Sequence, residues 1–459
     1  MQLKAKFENR QRGILLPLSS LPSNHGIGTL GIEAYNFINL LKETGQNYWQ
    51  MLPLCPVGRG NSPYASISCF AGEVLYIDLD MLADEGLLKP SEIGSYSFSK
   101  NVDYEKTREF KIPLLKLVSS RFNKENEDFK NFCKDNDYWL QNFALFCSQK
   151  SGISEDFYKI TQYLFFKQYE KLHTYANENG IKIIGDIPFY VDLESADVWG
   201  NPEIFELDKD LKPTLVAGVP PDFFSSTGQL WGNPIYNWEY LKQHDYDWWQ
   251  KRLIHNAKLY DAIRIDHFRA FANYYCIPKN SLDATKGYWK KGVGEEFFAL
   301  IKEKLKSTMI IAEDLGGEED PLVIELLKKT GFPNMKVLQF AFSSDEDNIF
   351  LPQNFGKNCL CYTGTHDNDT TLGWYEKSSM DQKDLFKKLV PEKHNSPVLN
   401  LISFAMNSKA EIVIIPFTDY LELNSDCRIN TPSMPKGNWE WRFESQDITE
   451  NLKEKIRNI

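Results

Sequence analysis

The chain has 459 residues, 42% hydrophobic and 25% charged, the balance of a globular protein with room for a large core. A formal net charge of −11 argues against nucleic acid and anionic membrane as partners, since both select basic surfaces. Aromatics make up 14%, with 11 Trp and 22 Tyr, which fits either a large aromatic core or a groove for ligands with flat apolar faces and a hydroxyl rim.

The first residues, MQLKAKFENRQRG, carry charge with no apolar stretch after it, so no secretory signal is expected. No apolar run approaches the roughly 20 residues that span a bilayer. The eight cysteines are scattered without a CxxC, and Cys359 and Cys361 alternate along a strand-like run as core thiols. A reduced, cytoplasmic protein is expected.

Short apolar runs recur at 12–21, 47–54, 181–191, 261–268, 307–316, 335–342, 358–367 and 410–421. Helical patterns lie between most of them. GIEAYNFINLLKETG (31–45) puts Phe37, Ile38 and Leu41 on one face and stops at Gly45. PLVIELLKKTG (321–331) opens on Pro and closes on Gly. Strands alternating with helices predict a parallel sheet. Eight such units favour an α/β fold of the closed (β/α)₈ TIM-barrel type over an open doubly wound sheet.

Two gaps exceed simple connections. Residues 76–180 read as a mainly helical insertion, with patterns such as DYEKTREFKIPLLKLVSSRF (103–122). Residues 191–258 read as a loop-rich insertion full of turn residues and aromatics. Both belong to one catalytic domain over 1–459, and ordered excursions of this length are usually functional. GIGTLG (26–31) matches a dinucleotide fingerprint, but SSLPSNH interrupts the strand–turn–helix that such a site needs. HExxH, a P-loop and a GxSxG elbow are absent.

The run YDAIRIDHFRAF (260–271) poses the functional question. Ile263 and Ile265 share one strand face, and Arg264 and Asp266 share the other, roughly 7 Å apart. His267 follows on the same run, and polar residues also gather at other strand ends: Asp186, then Glu313 and Asp314, then His366, Asp367 and Asp369. Burying several unpaired acids for scaffolding alone is costly, whereas barrel enzymes place catalytic residues at strand C-termini. Two carboxylates suffice for retaining glycoside chemistry, one as nucleophile and one as acid/base. Arg264 beside Asp266 would hold the nucleophile ionised. A metal site is the rival reading of clustered acids, but the same arginine would repel a cation.

Long motifs then become recognisable: SPYASISCFAG (62–72), GDIPFYV (185–191), SADVWGNPEIF (195–205) and AGVPPDFFSSTGQLWGNPIY (217–236). IRIDHFR (263–269), IAEDLG (311–316), TGTHDND (363–369) and RINTPSMPKGNWEWR (428–442) follow in the same order. From about residue 10 to 443 the chain resembles 4-α-glucanotransferases of the amylomaltase (disproportionating enzyme) type, glycoside hydrolase family 77 in the α-amylase clan. The resemblance implies a (β/α)₈ barrel with insertions and no C-terminal β-sandwich. It implies retaining transfer of an α-1,4-glucan segment to the 4-hydroxyl of glucose or another glucan, through a covalent glycosyl-enzyme.

By the same resemblance, Asp266 is the nucleophile, Glu313 the general acid/base, and Asp367 the third acid that grips sugar hydroxyls. Arg264 and His366 are their partners, Asp186 would be a further subsite or support residue, and Asp314 is a further substrate-binding candidate. Tyr64 would stack on donor sugar or simply pack its loop. Trp231, in the family's mobile loop, would touch acceptor sugar or belong to an aromatic core. His267 either contacts sugar or supports the nucleophile, and Asn438 with Trp439 would return to the cleft. Gln353 and Cys69 depart from the family's usual residues and bear on fine preference only. No cofactor and no metal are indicated, and monomer and homodimer both stay open. A hydrolase of the same clan and a non-catalytic glucan-binding protein are the alternatives; the second would be expected to lack at least one of the three acids.

Overall fold

The computed structural model describes residues 10–459 apart from 95, 97–98, 222–224, 306 and 344–345. The signal reading of residues 1–9 and the Phe223–Phe224 part of the 218–238 loop lie outside the described residues.

Each of the eight apolar runs contains one short strand buried on both faces, which is why the runs show little polar alternation. The barrel strands are β1 (Gln11–Leu15), β2 (Tyr48–Gln50), β3 (Lys182–Ile187), β6 (Ala262–Ile265), β9 (Met309–Ala312), β10 (Asn334–Val337), β11 (Cys359–Tyr362) and β12 (Ile412–Pro416). They close in the order β1-β12-β11-β10-β9-β6-β3-β2, with every pairing parallel. A (β/α)₈ barrel is therefore the fold, and the open sheet is excluded.

Helices wrap the barrel where the caps predict them. Helix Ile32–Glu43 follows β1. Helix Pro321–Thr330 starts with the Asp320 side chain accepting from Leu322 N–H and ends at Gly331, whose φ of 69° suits glycine. Between β2 and β3 the described residues build six α-helices, from Leu79–Asp84 to the 24-residue Glu155–Glu178.

The second excursion is more ordered than its turn-rich sequence suggests. Strands β4 (Leu215–Val219) and β5 (Gln229–Pro234) join β7 (Asn273–Pro278) and β8 (Tyr288–Lys291) in an antiparallel sheet ordered β5-β4-β7-β8. Gly218, Gly232 and Pro234 hide β4 and β5 from a periodicity reading, because they are the usual marks of turns. Val216, Tyr275 and Ile277 form a small core of their own under this sheet.

Candidate active site

The strand ends of β3, β6, β9 and β11 carry the polar residues. Register places Asp186 on β3 opposite Arg264 on β6. Arg264 is 3% exposed and lies inside the barrel, its Nε 3.4 Å from Met335 Sδ on β10. Ile263 and Ile265, fully buried, take the opposite face toward the helices. One terminal nitrogen, Nη1, reaches both oxygens of Asp186 at 2.8 Å and Oδ1 of Asp266 at 3.1 Å. Tyr64 Oη donates to the same Asp186 at 2.8 Å. Asp186 is thus saturated by Arg264 and Tyr64 and holds both in place.

Asp266 and Glu313 follow directly on β6 and β9. Asp266 N–H donates to Ile187 O at 3.0 Å, and Glu313 N–H donates to Ile265 O at 3.1 Å, so the ladder extends to the acids themselves. The Glu313 carboxylate accepts twice from backbone: His267 N–H to Oε2 at 2.6 Å and Leu315 N–H to Oε1 at 2.9 Å. His267 takes φ 52°, a left-handed conformation uncommon for a non-glycine residue and typical of functional turns.

Burial is the largest influence on both acids. It pushes Glu313 up to about 8, opposed mainly by Arg264, with the Asp266 charge adding to the rise. It pushes Asp266 up to about 7, again opposed mainly by Arg264. The Asp266 side chain keeps 29% exposure to the cleft and touches the guanidinium, whereas Glu313 is 7% exposed. Water and Arg264 therefore make Asp266 the first of the pair to ionise.

Asp367 sits in the loop after β11. That loop folds on its own side chains: Asn368 Oδ1 accepts from Thr365 N–H and Oγ1, both at 2.9 Å. Buried Asp419 ties Thr363 to Thr371 with hydroxyl bonds of 2.6 Å. Asp367 Oδ1 accepts from Asn430 Nδ2 at 2.6 Å, its Oδ2 lies 3.4 Å from His366 Nε2, and Arg428 holds its carbonyl. Its side chain is 46% exposed, open to the cleft. Asp369 is bound by Lys377 and Ser425 and serves the scaffold.

Tyr64 is set by a one-turn helix in which Ser62 Oγ accepts from Tyr64 N–H and Pro63 opens the turn. Its ring stacks on His366, with centroids 5.0 Å apart and planes 14° apart, and Trp439 tilts against both. His366, 3% exposed, has its pKa lowered by burial, which favours the neutral ring. Half-buried Trp231 stands edge-on to His267 at 4.8 Å. His267 Nε2 is buried with no hydrogen-bond partner among the described residues, and burial pushes its pKa down to about 3.

Two candidates point elsewhere. Asn438 spends both ends of its amide on the backbone of Thr431 and Met434, closing its own loop. Asp314, 1% exposed, accepts from Asn334 Nδ2 and Met335 N–H and fastens β9 to β10. Sequence reasoning gave no role to Asn430 or to Gln50, whose Oε1 accepts from Tyr362 Oη at 2.9 Å. Neither residue has a local pattern, but Asn430 lies inside the recognised RINTPSMPKGNWEWR motif.

Among the described residues, one His/Asp group could hold a metal ion: His25, Asp78 and Asp80. It includes none of the cleft residues. Fully buried Lys111 nearby donates to Leu75 O and Ile77 O, and burial pushes its pKa down to about 7.

A parallel eight-stranded barrel with acids on successive strand ends, two of them meeting one buried arginine, has the architecture of a barrel enzyme, with its carboxylates gathered where such folds place their active sites. The family model for 4-α-glucanotransferases matches residues 16–156 and 148–448. The 4-α-glucanotransferase of Streptococcus pneumoniae is 40% identical over 99% of this chain and 97% of its own length. That of Thermus thermophilus is 40% identical over 95% of each. The amylomaltase of Streptococcus agalactiae, solved in complex with acarbose, superposes with a TM-score of 0.94 at 37% identity, covering 98% of each chain. The chain belongs to the 4-α-glucanotransferases, glycoside hydrolase family 77, and its activity is 4-α-glucanotransfer.

Proposed function

We propose that Asp266, Glu313 and Asp367 carry out this transfer on α-1,4-glucans by the double displacement of retaining glycosidases. The free oxygen of Asp266 attacks C1 of the donor sugar while the C1–O4 bond breaks. Glu313 gives its proton to the departing O4. The 4-hydroxyl of glucose or of a second glucan then enters, passes its proton to Glu313, and bonds to C1 as the ester to Asp266 breaks. Asp367, fixed by Asn430 but open to the cleft, binds hydroxyls of the distorted donor sugar.

The single observation that carries this reading is the shared guanidinium. Arg264 contacts Asp266 at 3.1 Å and leaves Glu313 bound by two backbone N–H groups, so ionisation of one acid is favoured and the other is kept in place. Trp231 and His267 lie beside Glu313, the side on which the leaving group departs and the acceptor enters. Aromatic cover there favours a sugar over water. Cytoplasmic residence goes with the eight unpaired thiols.

Purified protein incubated with maltotriose and EDTA is the test. Glucose together with a ladder of longer maltooligosaccharides is expected. Glucose and maltose alone would indicate hydrolysis and overturn the acceptor-side reading. Absence of any product would overturn the choice of linear α-1,4-glucan as donor.

A further inference from the structure

An acid/base group must take up and release a proton without moving, and Glu313 is held for this by two turns that are stitched to each other. Phe268 N–H donates to Glu313 O at 2.9 Å, which joins the turn after β6 to the turn after β9. Two residues beyond His267, Arg269 closes the arrangement from the far side. Its Nη1 donates to the carbonyl of Gly316, adjacent to Leu315 whose N–H holds Glu313 Oε1. Gly316 has φ 74°, a conformation open to glycine that turns this carbonyl onto the guanidinium.

The other nitrogen of the fork, Nη2, binds Asn273 Oδ1 and Asp320 Oδ2, both at 3.0 Å, and Asn273 Nδ2 donates to Asp320 Oδ2 at 2.6 Å. Asp320 caps helix Pro321–Thr330, so Arg269 ties the 313–317 turn to a rigid element. Trp289 on β8 lies flat against the guanidinium, 4.2 Å from ring centre to carbon. Arg269 is 8% exposed, while Trp289 keeps 41% exposure. Lysine could not make this fork, because its ammonium is a single point.

We propose that Arg269, capped by Trp289, is a positioning residue for the acid/base Glu313, acting through Gly316 to keep the Leu315 amide on the carboxylate. This rests on Glu313 being the acid/base, as above. The charged groups facing Glu313 are Arg264, Asp266 and Asp314, and those facing Arg269 are Asp320, Glu318 and Glu313. Losing the Leu315 hydrogen bond, or the nearby guanidinium, favours the protonated carboxyl, so the alkaline limb of activity should move to higher pH.

The test compares two substrate pairs. Maltotriose disproportionation needs a proton in both steps. With α-maltosyl fluoride as donor and azide as acceptor, fluoride leaves C1 unprotonated and azide attacks C1 without a base. Arg269→Gln is expected to lower maltotriose turnover about 10–100-fold with KM within about twofold, as small misplacements of catalytic groups do. The fluoride–azide rate is expected to stay within about threefold, the alkaline limb to rise, and Arg269→Lys to recover part of the loss. Trp289→Leu, with the fork intact, should give a smaller change of the same pattern and serves if Arg269→Gln does not fold. An equal fall in both reactions would make Arg269 purely structural and overturn the proposal, as would no fall in either. If Glu313→Gln in turn left maltotriose turnover intact, the acid/base assignment itself would be wrong, an outcome distinct from failure of Arg269.

Discussion

The backbone N–H of His267 donates to Oε2 of Glu313 at 2.6 Å, and it reaches there because His267 sits at φ 52°. The residue after Asp266, the proposed nucleophile, thus grips Glu313, the proposed acid/base. Left-handed backbone at a non-glycine residue costs of order 1–3 kcal/mol and persists only where surrounding structure enforces it. Here the Phe268 bond to Glu313 O and the extended β6–β9 ladder enforce it. Glycine at 267 should relieve the strain, and the imidazole would be lost from the acceptor side.

Activity should be bell-shaped in pH. Glu313 must be protonated to donate, so the rate falls as pH rises through about 8, where burial sets its titration. Asp266 must be ionised to attack, so the rate falls as pH drops through about 7. The two limbs belong to the coupled pair. Initial rates of maltotriose conversion from pH 5 to 9 check this. With α-maltosyl fluoride and azide the alkaline limb should vanish.

The same burial makes Glu313 a stability burden. Its folded-state pKa lies above the ordinary carboxylate value, so the folded chain binds more protons and stability is lost as pH rises toward about 8. Glu313→Gln removes that titration. Its Tm relative to the parent should become more positive by a few degrees between pH 5 and pH 8, read by scanning calorimetry. A constant difference across that range would contradict the account.

Asp186→Ala leaves Arg264 buried with one carboxylate instead of two and Tyr64 Oη without its acceptor. Removing one partner of a buried pair typically costs about 3–5 kcal/mol. Urea unfolding should show a loss of that order. Asp266→Asn, by contrast, should leave the fold intact and lower turnover by about 10⁴-fold or more, within the range seen for essential nucleophiles.

Asn430→Ala and Asn438→Ala should separate cleanly although both lie in one loop. Asn430 binds Asp367 Oδ1, so its loss should raise KM and lower turnover about tenfold or more with little change in Tm. Asn438 binds only loop backbone, so its loss should lower stability by about 1–3 kcal/mol. Steady-state kinetics beside thermal melts would tell the two apart.

Trp231→Ala uncovers His267 on the acceptor side. Cleavage of maltotriose should persist while the share of hydrolysis products rises about tenfold, since water is no longer excluded. Chromatography of the products measures that share directly.

The sequence by itself determined the eight barrel strands, the helices between them and the acids at the strand ends. These are local signals: a short apolar run, a capping pair, a charged residue where a strand stops. It also offered Asp186 as either subsite or support, and Asp314 and Asn438 as substrate contacts, since residue type and position near a strand end do not reveal where a side chain spends its hydrogen bonds. Only the tertiary structure decided that Asp186 anchors Arg264, that Asp314 fastens β10, and that Asn430 steadies Asp367 across 63 residues of chain. It alone brought β4 and β5 together with β7 and β8, whose glycines and prolines read locally as turns. Barrel closure is the physical reason: it sets strands far apart in sequence a few ångströms apart in space, and one arginine then meets two carboxylates from neighbouring strands.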